Sequence, residues 1–267
     1  MAASQWGTAR RLATVAVHTY TALGAVLALL MVHLAYAGDV RAVLWLFLAA
    51  MVIDGTDGLL ARRVRVAEVA PSFDGALLDN IVDYLTYVFA PVVLLWTAGY
   101  LPDGRLGAVV AAVPLLASCY QFCRTDAKTA DHLFLGFPSY WNVVAFYLVV
   151  LDASVAVSTS VLLVLAALVF APVGYVYPSR TALAWRLTMV LTAVWMILYA
   201  TVVARYPTPS PWLVALSGAY LVYYAGLSLH LTWRRRRSVT GRVDDVDPES
   251  RDDVEGGCRV EPQAGRP

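Results

Sequence analysis

The chain has 267 residues, of which 60% are hydrophobic and 15% are charged. Soluble domains average about 45–50% apolar and about 25% charged residues, so this composition excludes an ordinary soluble domain and indicates a membrane protein. The net charge of +1 excludes a broad nucleic-acid-binding surface, because such surfaces are strongly basic.

Apolar runs recur along most of the chain. A hydrocarbon core of about 30 Å needs about 20 apolar helical residues per span. We therefore predict an all-α fold, a polytopic membrane bundle of about eight transmembrane helices, of which the fifth is short. The predicted spans are roughly 13–37, 41–60, 78–100, 106–124, 138–152, 155–174, 183–204 and 211–232.

Basic residues flank alternate ends of these spans, and basic loops tend to face the cytoplasm. One set of ends carries Arg10, Arg11, Arg62, Arg63, Arg65, Arg124, Lys128, Arg180 and the arginines at 234–237. The other set carries only Arg41, Arg105 and Arg205. This pattern predicts an inner-membrane protein with both termini and the loops at 62–76 and 124–132 in the cytoplasm.

The distribution of apolar and polar residues divides the chain into three parts. Residues 1–12 are predicted to form a cytoplasmic segment, and residues 13–233 a transmembrane domain. Residues 234–267 are rich in Asp, Gly and Pro, a composition typical of a disordered tail.

Four acids stand at the junction of the second and third spans. Asp54 and Asp57 are three residues apart, and Asp79 and Asp83 are four apart, so each pair shares a helix face. Ionisable groups within a span are costly and usually functional. Carboxylate oxygens are the ligands that hard divalent cations prefer. The acids therefore predict a site for one or two divalent cations.

Small residues and an arginine accompany these acids: Gly58, Ala61, Arg62 and Gly75. Glycine and alanine allow close approach to a helix, and an arginine can bind phosphate in two-pronged geometry. Together with the acids they predict a nucleotide diphosphate site. The alternative is that the small residues only pack helices, as they commonly do in membranes.

The whole pattern resembles the signature of the CDP-alcohol phosphatidyltransferase family. It reads Asp54-x-x-Asp57-Gly58-x-x-Ala61-Arg62, then Gly75-x-x-x-Asp79-x-x-x-Asp83. The resemblance implies an integral membrane enzyme that transfers a phosphatidyl or phospho-alcohol group with loss of CMP. Homodimers are common in that family, so it also implies a possible homodimer.

The resemblance further implies roles for individual residues. It assigns the binding of Mn²⁺ or Mg²⁺ to Asp54, Asp57, Asp79 and Asp83. It makes Asp83 the general base as well. Gly58 and Ala61 are implied to border the cytidine, and Arg62 to help order the site.

Two further stretches are similar to the bacterial phosphatidylcholine synthase branch of that family. They are the long loop at 63–74 and the segment YQFCRTDAKTADHLFLGFPSYWN at 120–142. This similarity implies CDP-diacylglycerol as donor and choline as acceptor. The corresponding mechanism is a direct displacement in which Asp83 takes the proton of the choline hydroxyl.

Choline is recognised by aromatic faces, because a quaternary ammonium donates no hydrogen bonds and is held by cation–π contacts. The aromatic residues predicted near the cytoplasmic face are Tyr84, Tyr87, Tyr120, Tyr140 and Trp141. Of these we favour Tyr84, Tyr120 and Trp141 as choline-binding residues. The alternative is that they belong to the usual aromatic belt of a membrane interface.

Arg124 and Lys128, four residues apart in a cytoplasmic loop, are candidates for binding the phosphate of the donor. Alternatively, they only follow the positive-inside tendency. Asp126 between them is a candidate for orienting one of the two or for helping to hold the ammonium of choline.

Other functions fit the sequence less well. The nearest alternative is a relative that uses another alcohol, such as serine, inositol or glycerol phosphate. Acceptors that bear a phosphate or a carboxylate would call for more basic residues near the site, and the aromatic richness here points away from them. A cation transporter would spread its acids along a path through the bilayer, and a structural scaffold would leave the aligned carboxylates unexplained.

Overall fold

The computed structural model describes residues 6–126, 133–176 and 183–244, which are mostly helical. The helices are α1 (Thr8–Tyr36), α2 (Val40–Val64), α3 (Val66–Val69), α4 (Gly75–Asp83), α5 (Ala90–Thr97), α6 (Gly104–Cys123), α7 (Trp141–Val150), α8 (Val155–Val169), α9 (Trp185–Ala204) and α10 (Pro211–Asp244). A π-helical segment, Tyr84–Phe89, joins α4 to α5, so that residues 75–97 form one continuous rod. The strands are β1 (Leu133–Leu135) and β2 (Gly174–Val176).

All eight predicted apolar segments are helical, which confirms the all-α fold of a multi-pass membrane protein. Within the described residues, six helices are long and apolar enough to cross a membrane. The helices α7 and α8 have 10 and 15 residues. At about 1.5 Å per residue they fall short of a core of about 30 Å. The spans predicted at 138–152 and 155–174 are therefore longer than the helices that the structure forms there.

The strands β1 and β2, which adjoin α7 and α8, form an antiparallel pair in which Phe134 lies opposite Tyr175. Side chains of α10 satisfy the outer edge of β2. Thr232 Oγ1 accepts from Gly174 N at 2.9 Å and donates to Gly174 O at 3.0 Å, and Ser228 Oγ accepts from Val176 N at 3.1 Å. Backbone polar groups at membrane depth need partners, so α10 takes the place of a third strand.

The connection between α2 and α4 contains the one-turn helix α3, and local chemistry determines where each longer helix ends. The helix α2 ends at Val64, and its C-cap Arg65 has a left-handed φ of 62° that breaks the helical path. The helix α4 begins where Asp74 accepts a hydrogen bond of 2.9 Å from Leu77 N, a standard N-cap. This connection brings the C-terminal end of α2 beside the N-terminal end of α4.

The helix α10 is longer than predicted at its C-terminal end. It continues to Asp244, so residues 234–244 are helical, whereas we predicted a disordered tail from residue 234. Arginine is a good helix former, and a helix that leaves the membrane can continue through such a run. Residues 245–267 lie outside the part of the chain that the structure describes.

Candidate active site

Three of the four motif aspartates converge where α2 meets α4. Asp54, Asp57 and Asp79 each offer a carboxylate oxygen, and these oxygens lie within 4.8 Å of one another. They face a small cavity of about 10 Å³ that Asp83 also lines. This is about the space that one water-sized species needs. The donor set is all carboxylate and thus suits a hard divalent cation.

Asp57 is the most enclosed of these acids, with 6% of its surface exposed. Its Oδ2 atom accepts a hydrogen bond of 2.8 Å from Thr21 Oγ1 in α1. A buried carboxylate is costly unless it is hydrogen-bonded and paired with positive charge. A cluster of three carboxylates whose oxygens lie within 4.8 Å of one another favours a bound cation.

Asp54 is held from the other side of the cavity. Its Oδ2 atom accepts a hydrogen bond of 2.7 Å from the hydroxyl of Tyr87, which lies in the π-helical segment. Tyr87 is buried and also within electrostatic range of Asp83. π-helical turns often mark functional sites. Tyr87 therefore binds Asp54, a candidate metal ligand, and also lies near Asp83, the predicted base.

The small residues of the motif lie at close approaches. A Cβ atom on Gly58 would lie 3.3 Å from the Nη1 atom of Arg62, and one on Gly75 would lie 3.1 Å from the Cε1 atom of His18 in α1. Ala61 is half-buried on α2. Gly75 thus has a packing role against α1, and Gly58 leaves room for the guanidinium of Arg62.

Arg62 is exposed, and it is within electrostatic range of Asp57. Its guanidinium therefore lies near the mouth of the acidic cavity, where an incoming phosphate group would arrive. This position agrees with the phosphate-binding role predicted for it.

Arg124 lies just after α6 and is held by a two-pronged ion pair. Its Nε and Nη2 atoms donate to the two carboxylate oxygens of Asp126 at 2.8 Å each, and Nη1 donates to Leu135 O at 3.4 Å. The hydrogen bond from Arg124 lowers the pKa of Asp126, and the same bond raises the pKa of Arg124. Asp126 thus orients Arg124, as the sequence suggested. Lys128 lies outside the described residues.

The three aromatic residues that we favoured for choline each have a partner of their own. The Tyr84 ring meets Phe122 at 5.9 Å, and the Tyr120 ring meets Phe170 at 4.9 Å. Trp141 is fully buried and donates its indole N–H to Ser118 Oγ at 2.7 Å. These contacts do not test choline binding, so this assignment stays a prediction.

Sequence reasoning missed the contribution of α1. Gly24 lines the cavity, and a Cβ atom there would collide with Val82 Cγ1 of α4. Thr21, three residues earlier, holds Asp57. Their spacing puts both on one helix face, but small and hydroxylated residues are common in spans, so no local signal distinguishes them.

The fold and site define a class: a multi-pass integral membrane protein with a carboxylate cluster suited to a divalent cation at one end of its helices. Residues 15–173 match the CDP-alcohol phosphatidyltransferase family. This is more than half of the chain, and the protein belongs to that family of transferases. The resemblance seen in the motif is thereby confirmed.

Three relatives, each called phosphatidylcholine synthase, are similar over most of their length. The protein from Legionella bozemanae is 43% identical over 71% of this chain and 90% of its own. That from Legionella pneumophila is 41% identical over 81% and 88%, respectively. That from Pseudomonas aeruginosa is 38% identical over 84% and 93%.

Proposed function

We propose that this protein is a phosphatidylcholine synthase, which transfers the phosphatidyl group of CDP-diacylglycerol to choline and releases CMP. The observation that carries the proposal is the convergence of the motif aspartates on one cavity. Relatives that bear this name at 38–43% identity support the choice of acceptor.

Asp54, Asp57 and Asp79 are the residues that would hold Mn²⁺ or Mg²⁺, together with Asp83. When bound, the metal neutralises the diphosphate and stabilises the departing CMP. The tight carboxylate cluster and its hydrogen bonds from Thr21 and Tyr87 support this assignment.

Asp83 accepts the proton of the choline hydroxyl. The freed oxygen attacks the phosphorus that bears the diacylglycerol group, forming one P–O bond as the P–O bond to CMP breaks. A base must lie within reach of the reacting hydroxyl. The place of Asp83 in the cavity wall supports this role.

The donor is bound by residues around the cavity mouth. Gly58, Ala61 and Gly75 leave space for the nucleotide beside α2 and α4, and Arg62 contacts its diphosphate. Arg124, which follows α6, binds phosphate, and Lys128 is assigned the same role from the sequence. The proximity of Arg62 to the acids and the fixed orientation of Arg124 support these assignments.

The acidic end of the bundle faces the cytoplasm of an inner membrane, with both termini on that side. The support is the concentration of arginine at that end, including Arg62, Arg63 and Arg65. CDP-diacylglycerol then enters from the bilayer and choline from the cytoplasm. The protein works as a homodimer, as relatives in the family commonly do.

The test is direct. Membranes that contain the protein are incubated with CDP-diacylglycerol, Mn²⁺ or Mg²⁺, and labelled choline, with membranes of an Asp57→Asn variant as background. Labelled phosphatidylcholine and an equal amount of CMP are expected. If product forms from labelled serine, inositol or glycerol phosphate and none forms from choline, the protein is a transferase of the same family that uses another alcohol.

A further inference from the structure

Tyrosine rings from three separate elements meet beside the acidic cavity. Tyr87 belongs to the π-helical segment, Tyr140 precedes α7, and Tyr224 lies in α10. The Tyr87 and Tyr140 ring centroids are 6.0 Å apart at 48°, and those of Tyr140 and Tyr224 are 6.5 Å apart at 63°. We refer to these three residues as the tyrosine cluster.

The cluster adjoins the reacting groups. The Tyr87 hydroxyl donates to Asp54, and Tyr87 is within electrostatic range of the base Asp83. In choline only two carbons separate the hydroxyl from the ammonium. A site for the ammonium must therefore lie directly beside the base, as the cluster does.

The rings of the cluster are held in fixed orientations. The Tyr224 hydroxyl donates to Val176 O of β2 at 2.9 Å and is also hydrogen-bonded to Tyr140. Tyr140 follows Ser139, a non-glycine residue at a left-handed φ of 60°. Such strain is costly and is concentrated at ligand-binding sites.

The geometry suits a cation. A cation is attracted to an aromatic face when it lies within about 6 Å of the ring centroid. Neighbouring rings with centroids 6.0 and 6.5 Å apart, inclined at 48° and 63°, can each present a face to one such cation. The attraction grows when water is excluded, and Tyr87 is buried.

We infer that the tyrosine cluster binds the quaternary ammonium of the acceptor and thereby sets its specificity. The inference rests on the proposed function and replaces Tyr84, Tyr120 and Trp141 as the acceptor site. An ordinary aromatic core is the competing explanation, and the two differ in how they respond to the charge of the acceptor.

The experiment compares choline with 3,3-dimethylbutan-1-ol, an alcohol of the same shape in which a neutral carbon replaces the ammonium nitrogen. Tyr140→Leu and Tyr224→Leu are expected to raise the KM for choline about tenfold and to lower the preference for choline over the neutral alcohol by a similar factor. Tyr140→Phe keeps the aromatic face and is expected to stay within about threefold of wild type.

Tyr147→Leu is the matched control. Tyr147 is a partly buried aromatic of α7 whose hydroxyl is bonded to Ser217 and Trp195, outside the cluster. Its replacement is expected to change the turnover of both alcohols by the same factor. If a leucine variant does not fold, a ring-fluorinated phenylalanine at position 140 keeps the shape and weakens the negative face, so the same loss of preference is expected.

Two failures are distinguishable. A wild-type protein that forms no phosphatidylcholine overturns the proposed function. A wild-type protein that forms it, while the variants at 140 and 224 keep the wild-type preference for choline over the neutral alcohol, overturns the tyrosine cluster alone. An equal rise in the KM for CDP-diacylglycerol and for choline would also overturn it.

Discussion

Thr21 in α1 donates a hydrogen bond of 2.8 Å to Oδ2 of Asp57 in α2, and both residues are buried. The bond fixes one carboxylate oxygen, so that the other remains available for a cation. Partners that orient a metal ligand in this way commonly affect metal affinity as well as stability. The first helix thus supports the candidate metal site, although it contributes no acid to it.

We expect Thr21→Val to weaken metal binding while keeping the shape of the side chain. Loss of an orienting hydrogen bond typically costs about 10–100-fold in metal affinity. The measurement is the Mn²⁺ or Mg²⁺ concentration that gives half-maximal activity at saturating substrates. Thr21→Ser keeps the hydroxyl and should stay near wild type. An unchanged metal dependence in Thr21→Val would show that Thr21 does not orient Asp57.

A second prediction concerns the close contact of α1 with α4 at Gly24. An alanine there would collide with Val82, and overpacking of this kind typically costs about 1–3 kcal/mol. We expect Gly24→Ala to lower both the thermal unfolding temperature in detergent and the activity. Adding Val82→Ala removes the colliding group and should restore part of each loss.

Gly55 provides the control for that substitution. It lies on α2, and a Cβ atom there meets nothing within 4 Å. Gly55→Ala should therefore leave the unfolding temperature unchanged or raise it slightly, since alanine favours a helix more than glycine does. If Gly24→Ala behaved like Gly55→Ala, the close packing of α1 on α4 would be contradicted.

The spans and the acidic site follow from local patterns. Hydrophobic runs are limited by bilayer thickness, and spacings of three and four residues put side chains on one helix face. Asp54, Asp57 and Asp79 could therefore be grouped from sequence alone, and the structure brings their oxygens within 4.8 Å. The two helices are consecutive spans, so their acids were expected at the same membrane face.

The features of the fold and the site that could not be predicted from the sequence depend on contacts between distant segments. The strand pair is apolar, like the helices around it, and its edge is completed by Ser228 and Thr232 of α10. Tyr140 and Tyr224 are 84 positions apart in the sequence, so no periodicity connects them.

A third prediction separates chemistry from binding at Asp83. We expect Asp83→Asn to abolish turnover, because an amide cannot accept the choline proton, while CDP-diacylglycerol still binds. Turnover is measured with labelled choline, and binding by protection of the protein against thermal unfolding. Retained turnover would remove Asp83 from the role of base.

Asp74→Asn is the control for that change. Asp74 is nine residues earlier, is exposed, and caps α4 through its side chain. Asparagine caps helices about as well as aspartate, so the variant should fold and turn over normally. A similar loss of turnover in both variants would point to a general effect of removing charge rather than to a base.

The last prediction concerns Arg124 and the pH range over which Asp126 holds it. Because Arg124 lowers the pKa of Asp126, the Asp126 carboxylate stays ionised until the pH falls through this lowered value. The ion pair is lost only at that point. Arginine stays protonated throughout, so the pair is intact from about pH 5 to 9. Asp126→Asn should therefore leave the shape of the pH–activity profile in that range unchanged.

Arg124→Lys should act on donor binding instead. Lysine carries the charge but cannot form the two-pronged contact with Asp126, so the group that meets the phosphate is no longer fixed. We expect the KM for CDP-diacylglycerol to rise several-fold with kcat little changed, and Arg105→Lys, at the opposite end of the bundle, to have no such effect. An unchanged KM for CDP-diacylglycerol would show that Arg124 does not bind the donor and only follows the positive-inside tendency.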